Sequence, residues 1–271
     1  MADLIPLVLL FVVVLFASAV NTVAGAGSLL VLPALIFSGL DASSANATNR
    51  IGVLVQTSAA LLTYRRAGQK VGARELRLTL ATMTGGAIGS FLATMLSEGE
   101  MRTAILFAMV VILVLSLLPK KKPRSLVSLA GDGPLLPDQK RELPAPTPLM
   151  YVGFFAIGIY GGFLQAGVGI LAMLFLMHVF AVDALVSNVV KSAATLGLTI
   201  VALVVFAARG ENIDPSRGAV LAAASILGGL FGARVAMRVS ERVVRGAIVA
   251  LVLVSLVKLV GDSLMWSLPA W

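Results

Sequence analysis

Cysteine is absent from the 271-residue chain and histidine occurs once, at His178. Without cysteine there is no disulfide and no thiolate metal site. A single histidine also excludes a His-rich transition-metal site; within its apolar stretch, His178 reads as a packed, hydrogen-bonded side chain rather than a proton relay. Charge is scarce as well: 13% of residues are Asp, Glu, Lys or Arg, against roughly 25% in a soluble domain. That leaves too little polar surface to cover a water-soluble globule. No paired carboxylates lie within the apolar stretches and no serine sits in a nucleophile motif. The groups of acid–base or nucleophilic catalysis are therefore missing, and the chain reads as no enzyme. Nothing in it calls for a cofactor.

What is present is apolar sequence, 59% hydrophobic, with a mean hydropathy of +1.00. Clear apolar blocks are residues 4–23, 53–64, 79–96, 103–118 and 247–260. A bilayer span takes about 20 residues, and inside lipid every backbone polar group must be paired within its own segment. Blocks rich in Leu, Ala and Val predict helices, so the expected class is an all-α polytopic membrane protein of the bacterial cytoplasmic membrane. Ala17-Ser18-Ala19 mimics a signal-peptidase site. Only Asp3 and no Lys or Arg precedes the apolar run, so the stretch reads as a mature span. The net charge of +8 lies in short clusters between apolar blocks. Nucleic-acid binding is a poor reading of that pattern; short Lys/Arg loops mark the cytoplasmic side.

The chain repeats itself. At an offset of 142, Gly25 and Gly27 meet Gly167 and Gly169, Asp41 meets Asp183, Asn46 meets Asn188, and Gly68 meets Gly210. One residue further, Ser97-Glu98 meets Ser240-Glu241 and Arg102 meets Arg245. Matches of Asp, Asn, Glu and Arg carry weight in so apolar a sequence. The division is a first repeat over 1–118, a basic Pro-rich cytoplasmic linker over 119–148 and a second repeat over 149–271. Each unit begins with an apolar segment broken by glycine. A piece of about 16 Å follows, half the hydrocarbon thickness, making a broken or hairpin first helix. Next comes a helix capped by Asp41 or Asp183, then a helix with Gly85-Gly86 and Gly89, or Gly228-Gly229 and Gly232. Those glycines read as close helix crossings. A last helix starts near Ser97, with Glu100 completing a capping box, or near Ser240.

Loop charges set the orientation. The loop with Arg65, Arg66, Lys70, Arg74 and Arg77 is basic, and its mate with Arg209, Glu211, Asp214 and Arg217 is balanced. Arg234, Arg238, Arg242 and Arg245 are basic, and the mate over 97–102 is nearly neutral. The units therefore read as inverted-topology repeats with both termini outside, an arrangement found in secondary transporters that bind near the midplane.

The candidate site follows from the polar residues. Asn46, Asn49, Arg50, Gln56 and Thr57 share one face of a helix, as do Asn188, Lys191, Ser192, Thr195 and Thr199. A cation within a span costs about 2.5–3.5 kcal/mol, so Arg50 and Lys191 are expected to face one cavity and attract an anion. The competing reading pairs them with Asp41 and Asp183. Gly25, Gly27, Gly167 and Gly169 let the backbone unwind and approach a ligand, and a helix start there aims N–H groups at an anion. Ser28 and Gln165 add donors.

Ala24-Gly25-Ala26-Gly27-Ser28 with Leu29-Leu30-Val31-Leu32-Pro33, then Ala45-Asn46-Ala47-Thr48-Asn49-Arg50 and Arg65-Arg66-Ala67-Gly68, resembles the TauE/SafE family of membrane transporters. Tyr160-Gly161-Gly162-Phe163 and Gly167-Val168-Gly169 resemble it in the second half. The resemblance covers nearly the whole chain apart from the linker. It implies transport of sulfite, sulfoacetate or another organosulfonate, driven by an ion gradient. The expected partners are a small anion, a coupling ion such as a proton, the lipid bilayer and, in a homodimer, a second copy. The alternatives are a membrane-embedded enzyme or assembly factor, and a passive anion channel.

Overall fold

The computed structural model describes residues 4–24, 27–117 and 143–235. Gly25, most of the linker and the helix expected near Ser240 lie outside the described residues. Among the described residues nine α-helices follow in order: α1 Leu4–Ala24, α2 Ser28–Phe37, α3 Ala42–Arg66, α4 Ala73–Ala93, α5 Glu98–Leu117, α6 Pro148–Phe163, α7 Val168–Leu174, α8 Ala184–Ala208 and α9 Pro215–Val235. A π-helical turn, Phe175–Val179, continues α7. No strand occurs among the described residues.

Local chemistry sets the helix ends. Asp41 accepts from the Ser44 N–H at 2.7 Å and caps α3, while Asp183 accepts from the Leu185 N–H at 2.8 Å and caps α8. Glu98 adds to the first cap, accepting from the N–H groups of Ala42 at 2.5 Å and Ser43 at 3.1 Å. Glu100 accepts from the Ser97 N–H at 2.8 Å ahead of α5. Gly68 and Gly210, one repeat apart, end α3 and α8 with φ of 85° and 76°, left-handed values suited to glycine. The linker's last residues are held rather than loose: Leu143 is buried and its carbonyl accepts from Arg74 at 2.6 Å. In the loop before α9, Arg217 pairs with Asp214 at 2.8 Å and donates to the Ser38 hydroxyl at 2.9 Å. The Arg217 backbone N–H, above all, holds the Asp214 carboxyl below the usual range.

The helices pack reciprocally. α1 lies against α9 and α4 against α6, while α3 meets α9 and α4 meets α8. The first helix of each half thus packs on the fourth helix of the other, with α3 and α8 in contact between them. Glycines permit the approach, as their spacing predicts. A Cβ at Gly89 would lie 1.9 Å from the Ile159 carbonyl oxygen, one at Gly162 2.2 Å from that of Gly86, and one at Gly228 2.4 Å from that of Leu15.

Polarity is reversed relative to a water-soluble protein. Asn46, Asn49, Arg50, Gln56, Gln165 and Lys191 are buried, whereas Leu9, Phe107 and Val204 are 64%, 70% and 64% exposed. An apolar exterior around a polar interior suits hydrocarbon, not water. The fold is that of a helical membrane protein. Among the described residues α8 is both long and apolar enough by composition to cross a bilayer. α3 is as long, but its polar stripe dilutes its hydropathy.

Even a methyl group is too large at the α4–α6 crossing. Gly89→Ala is expected to destabilise the protein by about 1–3 kcal/mol through overpacking. At Gly99, where a Cβ meets nothing within 4 Å, Gly99→Ala should leave stability unchanged or raise it. Thermal unfolding in detergent compares the two, and equal melting would remove the packing role assigned to Gly89.

Candidate functional site

Both halves break at their glycines, in different ways. Gly27 opens α2 in helical conformation, and its N–H donates to Asn21 Oδ1 at 3.1 Å. A Cβ there would stand 2.2 Å from the Ala17 carbonyl oxygen, so α2 folds back on α1 as a hairpin. In the second half α6 ends at Leu164, which is extended, and Gly167 turns left-handed at φ 70° to start α7. The Tyr160 hydroxyl donates to the Ala166 carbonyl at 2.7 Å and pins this crossing.

A helix that stops inside lipid leaves four carbonyls without partners. For α6 all four are accounted for. Tyr160 O accepts from the Leu164 N–H at 2.7 Å, and Gly161 O and Gly162 O accept from Arg50 at 2.6 and 2.8 Å. Phe163 O accepts from Asn46 Nδ2 at 2.9 Å. Arg50 also donates to Gln165 Oε1 and Asn46 Oδ1, and it lies 5.2 Å from the Phe206 ring centroid. Four of its five N–H groups are thereby engaged, and Nε has no partner. For α1 the donor is Lys191, whose Nζ reaches Asn21 O at 3.3 Å, Thr22 O at 3.1 Å and Asn188 Oδ1 at 2.7 Å. Each buried cation therefore caps the first helix of the opposite half, and its charge complements the negative end of that helix. Neither is bonded to Asp41 or Asp183: Asp41 turns to its own helix, and among the described residues no carboxylate pairs with Arg50 or Lys191.

A small polar cavity of about 20 Å³, on the scale of a water molecule, opens where the breaks meet. Of the residues singled out in the sequence, Ser28, Gln56, Thr57, Gln165, Gly169, Lys191, Ser192 and Thr195 line it. Gly27 and Asn49 face a smaller adjoining cavity. Arg50, Asn46, Asn188 and Gly167 line neither; Asn46 and Asn188 serve the two caps and Gly167 makes the turn. The expectation that Arg50 faces the cavity beside Lys191 is thus replaced by a capping position. The physical reason is that the otherwise unpaired carbonyls of Gly161 and Gly162 at the end of α6 draw its guanidinium to them.

Asn21 and Thr22 escaped the sequence reading because they sit inside an apolar block. Asn21 Nδ2 donates to Gln56 Oε1 at 3.1 Å, and Gln56 Nε2 donates to Ser18 O at 3.0 Å and Thr22 Oγ1 at 3.1 Å. Their signal was position: two amide or hydroxyl side chains directly before a glycine break. His178, an outlier by composition, is outside both cavities, with Nδ1 3.3 Å from the Leu174 carbonyl.

Discontinuous helices, buried cations and a polar cavity at the junction of two halves are features of membrane transporters. The sequence pattern of the family described as Sulfite exporter TauE/SafE matches residues 10–259, and the chain belongs to that family of membrane transporters. It is 24% identical over 256 residues to a probable membrane transporter protein, ORF9, from Sinorhizobium sp, covering 94% of this chain and 93% of that one. It is 27% identical over 264 residues to a probable membrane transporter protein of Haemophilus influenzae, covering 94% and 95%. No solved structure matches it.

Removing Arg50 strands the carbonyls of Gly161 and Gly162, at roughly 1–3 kcal/mol for each buried acceptor left unpaired. Arg50→Met should accordingly melt at a markedly lower temperature in detergent. Adding Asp41→Asn should not restore it. Restoration would instead make Arg50 the ion-pair partner of Asp41.

Proposed function

We propose that the protein is a secondary transporter that moves a small oxyanion, sulfite or an organosulfonate such as sulfoacetate, through the cytoplasmic membrane. The chain crosses that membrane several times, with its halves in opposite orientation. The observation that carries this reading is Lys191: a buried cation on the wall of a cavity whose lining contains no carboxylate. Neutral carbonyl and amide oxygens offset a buried positive charge only in part, and an anion completes the balance. Ser28, Ser192 and Thr195 surround the same space with hydroxyl groups. The start of α2 at Ser28 adds the positive end of a ten-residue helix. A sulfonate stays anionic at neutral pH, so permanent donors suit it better than a titrating partner. Arg50 contributes by holding α6 in place, and the substrate is driven by coupling to an ion gradient.

The reciprocal packing of first and fourth helices supports the inverted arrangement, and the family's description supports the substrate class. Uptake of labelled sulfite into proteoliposomes tests transport. Wild type should accumulate substrate above its external concentration under an imposed ion gradient; dissipation only down the substrate's own gradient would indicate a channel. Lys191→Gln should weaken binding about tenfold to a hundredfold, as loss of a hydrogen bond to a charged group worth roughly 1.5–3 kcal/mol requires. Unchanged affinity would remove the site from Lys191.

The topology has its own check, because the chain lacks cysteine. Single cysteines placed near Lys121 and near Glu211 should label from opposite faces of the membrane. Labelling from one face would contradict the opposed halves.

A further inference from the structure

The Lys191 cavity, at about 20 Å³, has room for a water molecule and not for sulfite, a sulfur bearing three oxygens. Transport through it needs a wider state, open to one face at a time. α3 and α8 carry much of the polar wall, and they show what closes each end. They run antiparallel. Tyr64, near the end of α3, packs with Val189 and Leu185 near the start of α8. It stands one turn beyond Ala60, which lines the cavity. Phe206, near the end of α8, lies at the other end, beneath the guanidinium of Arg50. Arg50 in turn donates to Gln165 of the cavity wall.

The two aromatic rings occupy one position of the repeat. The offset of 142 carries Tyr64 onto Phe206, Ala60 onto Ala202 and Ala47 onto Val189, and all six side chains are buried. Inverted halves put such a pair at opposite ends of a path between them. The two rings differ by one oxygen and by how they are held. Phe206 carries a cation 5.2 Å from its centroid, and the end of α6 fixes that cation in place. Tyr64 is held by apolar contact, and its hydroxyl has no hydrogen-bond partner although the residue is 4% exposed. A buried hydroxyl without a partner disfavours the closed state, because its cost vanishes once water reaches it. The seal at Tyr64 is the weaker of the two. It adjoins Arg65 and Arg66, at the basic loop.

We infer, on the premise of the proposed transport, that Tyr64 and Phe206 are the gates at the two ends of the substrate path, the Tyr64 gate poised to open and the Phe206 gate latched by Arg50. Opening at Tyr64 parts the end of α3 from the start of α8 and admits water to the hydroxyl. Opening at Phe206 requires the ring to leave Arg50 first.

A single cysteine in this cysteine-free chain tests the gates without a substrate. Thr57 lines the cavity, and its hydroxyl donates within its own helix to the Val53 carbonyl at 2.7 Å, so Thr57→Cys is a mild reporter. A membrane-impermeant methanethiosulfonate is applied to either face of proteoliposomes, with Lys70→Cys marking the face of the basic loop. The reporter should label faster from that face. Adding Tyr64→Ala should raise the rate from that face more than about tenfold, and adding Phe206→Leu should raise the rate from the opposite face alone. Tyr64→Phe keeps the ring and carries the test if Tyr64→Ala does not fold. It should slow labelling from the basic face roughly tenfold to a hundredfold, because no unpaired hydroxyl then favours opening. An unchanged rate in Tyr64→Phe would overturn the poised gate. Tyr64→Ala and Phe206→Leu acting on one face, or altering no rate, would overturn both gates; wild-type sulfite uptake measured alongside would leave the proposed transport standing. Face-specific rates without sulfite uptake would support the gates and overturn the sulfite reading instead.

Discussion

Backbone carbonyls at the ends of two broken helices must find donors inside an apolar medium, and the rest of the interior is arranged around that need. α1 and α6 both stop within the protein, and each exposes its last carbonyls to the core. Hydrocarbon offers nothing to satisfy them. Arg50 and Lys191 do so from the opposite half of the chain, so each half completes the other. A neutral amide would leave several acceptors unpaired; a cation with three to five N–H groups satisfies a cluster of them and opposes the negative end of the helix. The expense of placing charge in a hydrocarbon setting is offset by removing stranded carbonyls.

The same constraint explains the cavity. Capping the ends of α1 and α6 fixes both glycine breaks, and α2 and α7 start beside them. Side chains that steady the caps, Asn21 and Gln56 among them, then line the space with amides. Lys191 is bonded to the α1 end and faces the cavity as well, so under the proposed function a single residue both caps a helix and attracts the anion. Arg50, equally buried, is committed to α6. Glycine crossings between α4 and α6, and between α1 and α9, hold the two capped helices against their neighbours across the halves.

Much of this was legible in the sequence. The Asp41 and Asp183 caps and the polar stripes of α3 and α8 have local signatures, and each appears where the pattern places it. The partners of Arg50 were not legible, because a backbone carbonyl leaves no mark in the sequence. Only the three-dimensional meeting of α3 with the end of α6 selects Gly161 and Gly162 over Asp41. Asn21 was hidden by the apolar block around it. The difference between the hairpin at Gly27 and the turned crossing at Gly167 depends on φ at one glycine, which composition does not encode. Leu143, within a basic proline-rich stretch, is buried by packing against α4 and α6 rather than by anything in its own segment.

Crossed capping is tested most directly by amide hydrogen exchange in the two cation variants. Lys191→Met should speed exchange at the end of α1 and the start of α2, leaving the end of α6 protected. Arg50→Met should loosen the end of α6 and spare α1. Each substitution thereby acts in the half of the chain that does not contain it. Faster exchange confined to α8 in the first variant and to α3 in the second would contradict capping between the halves.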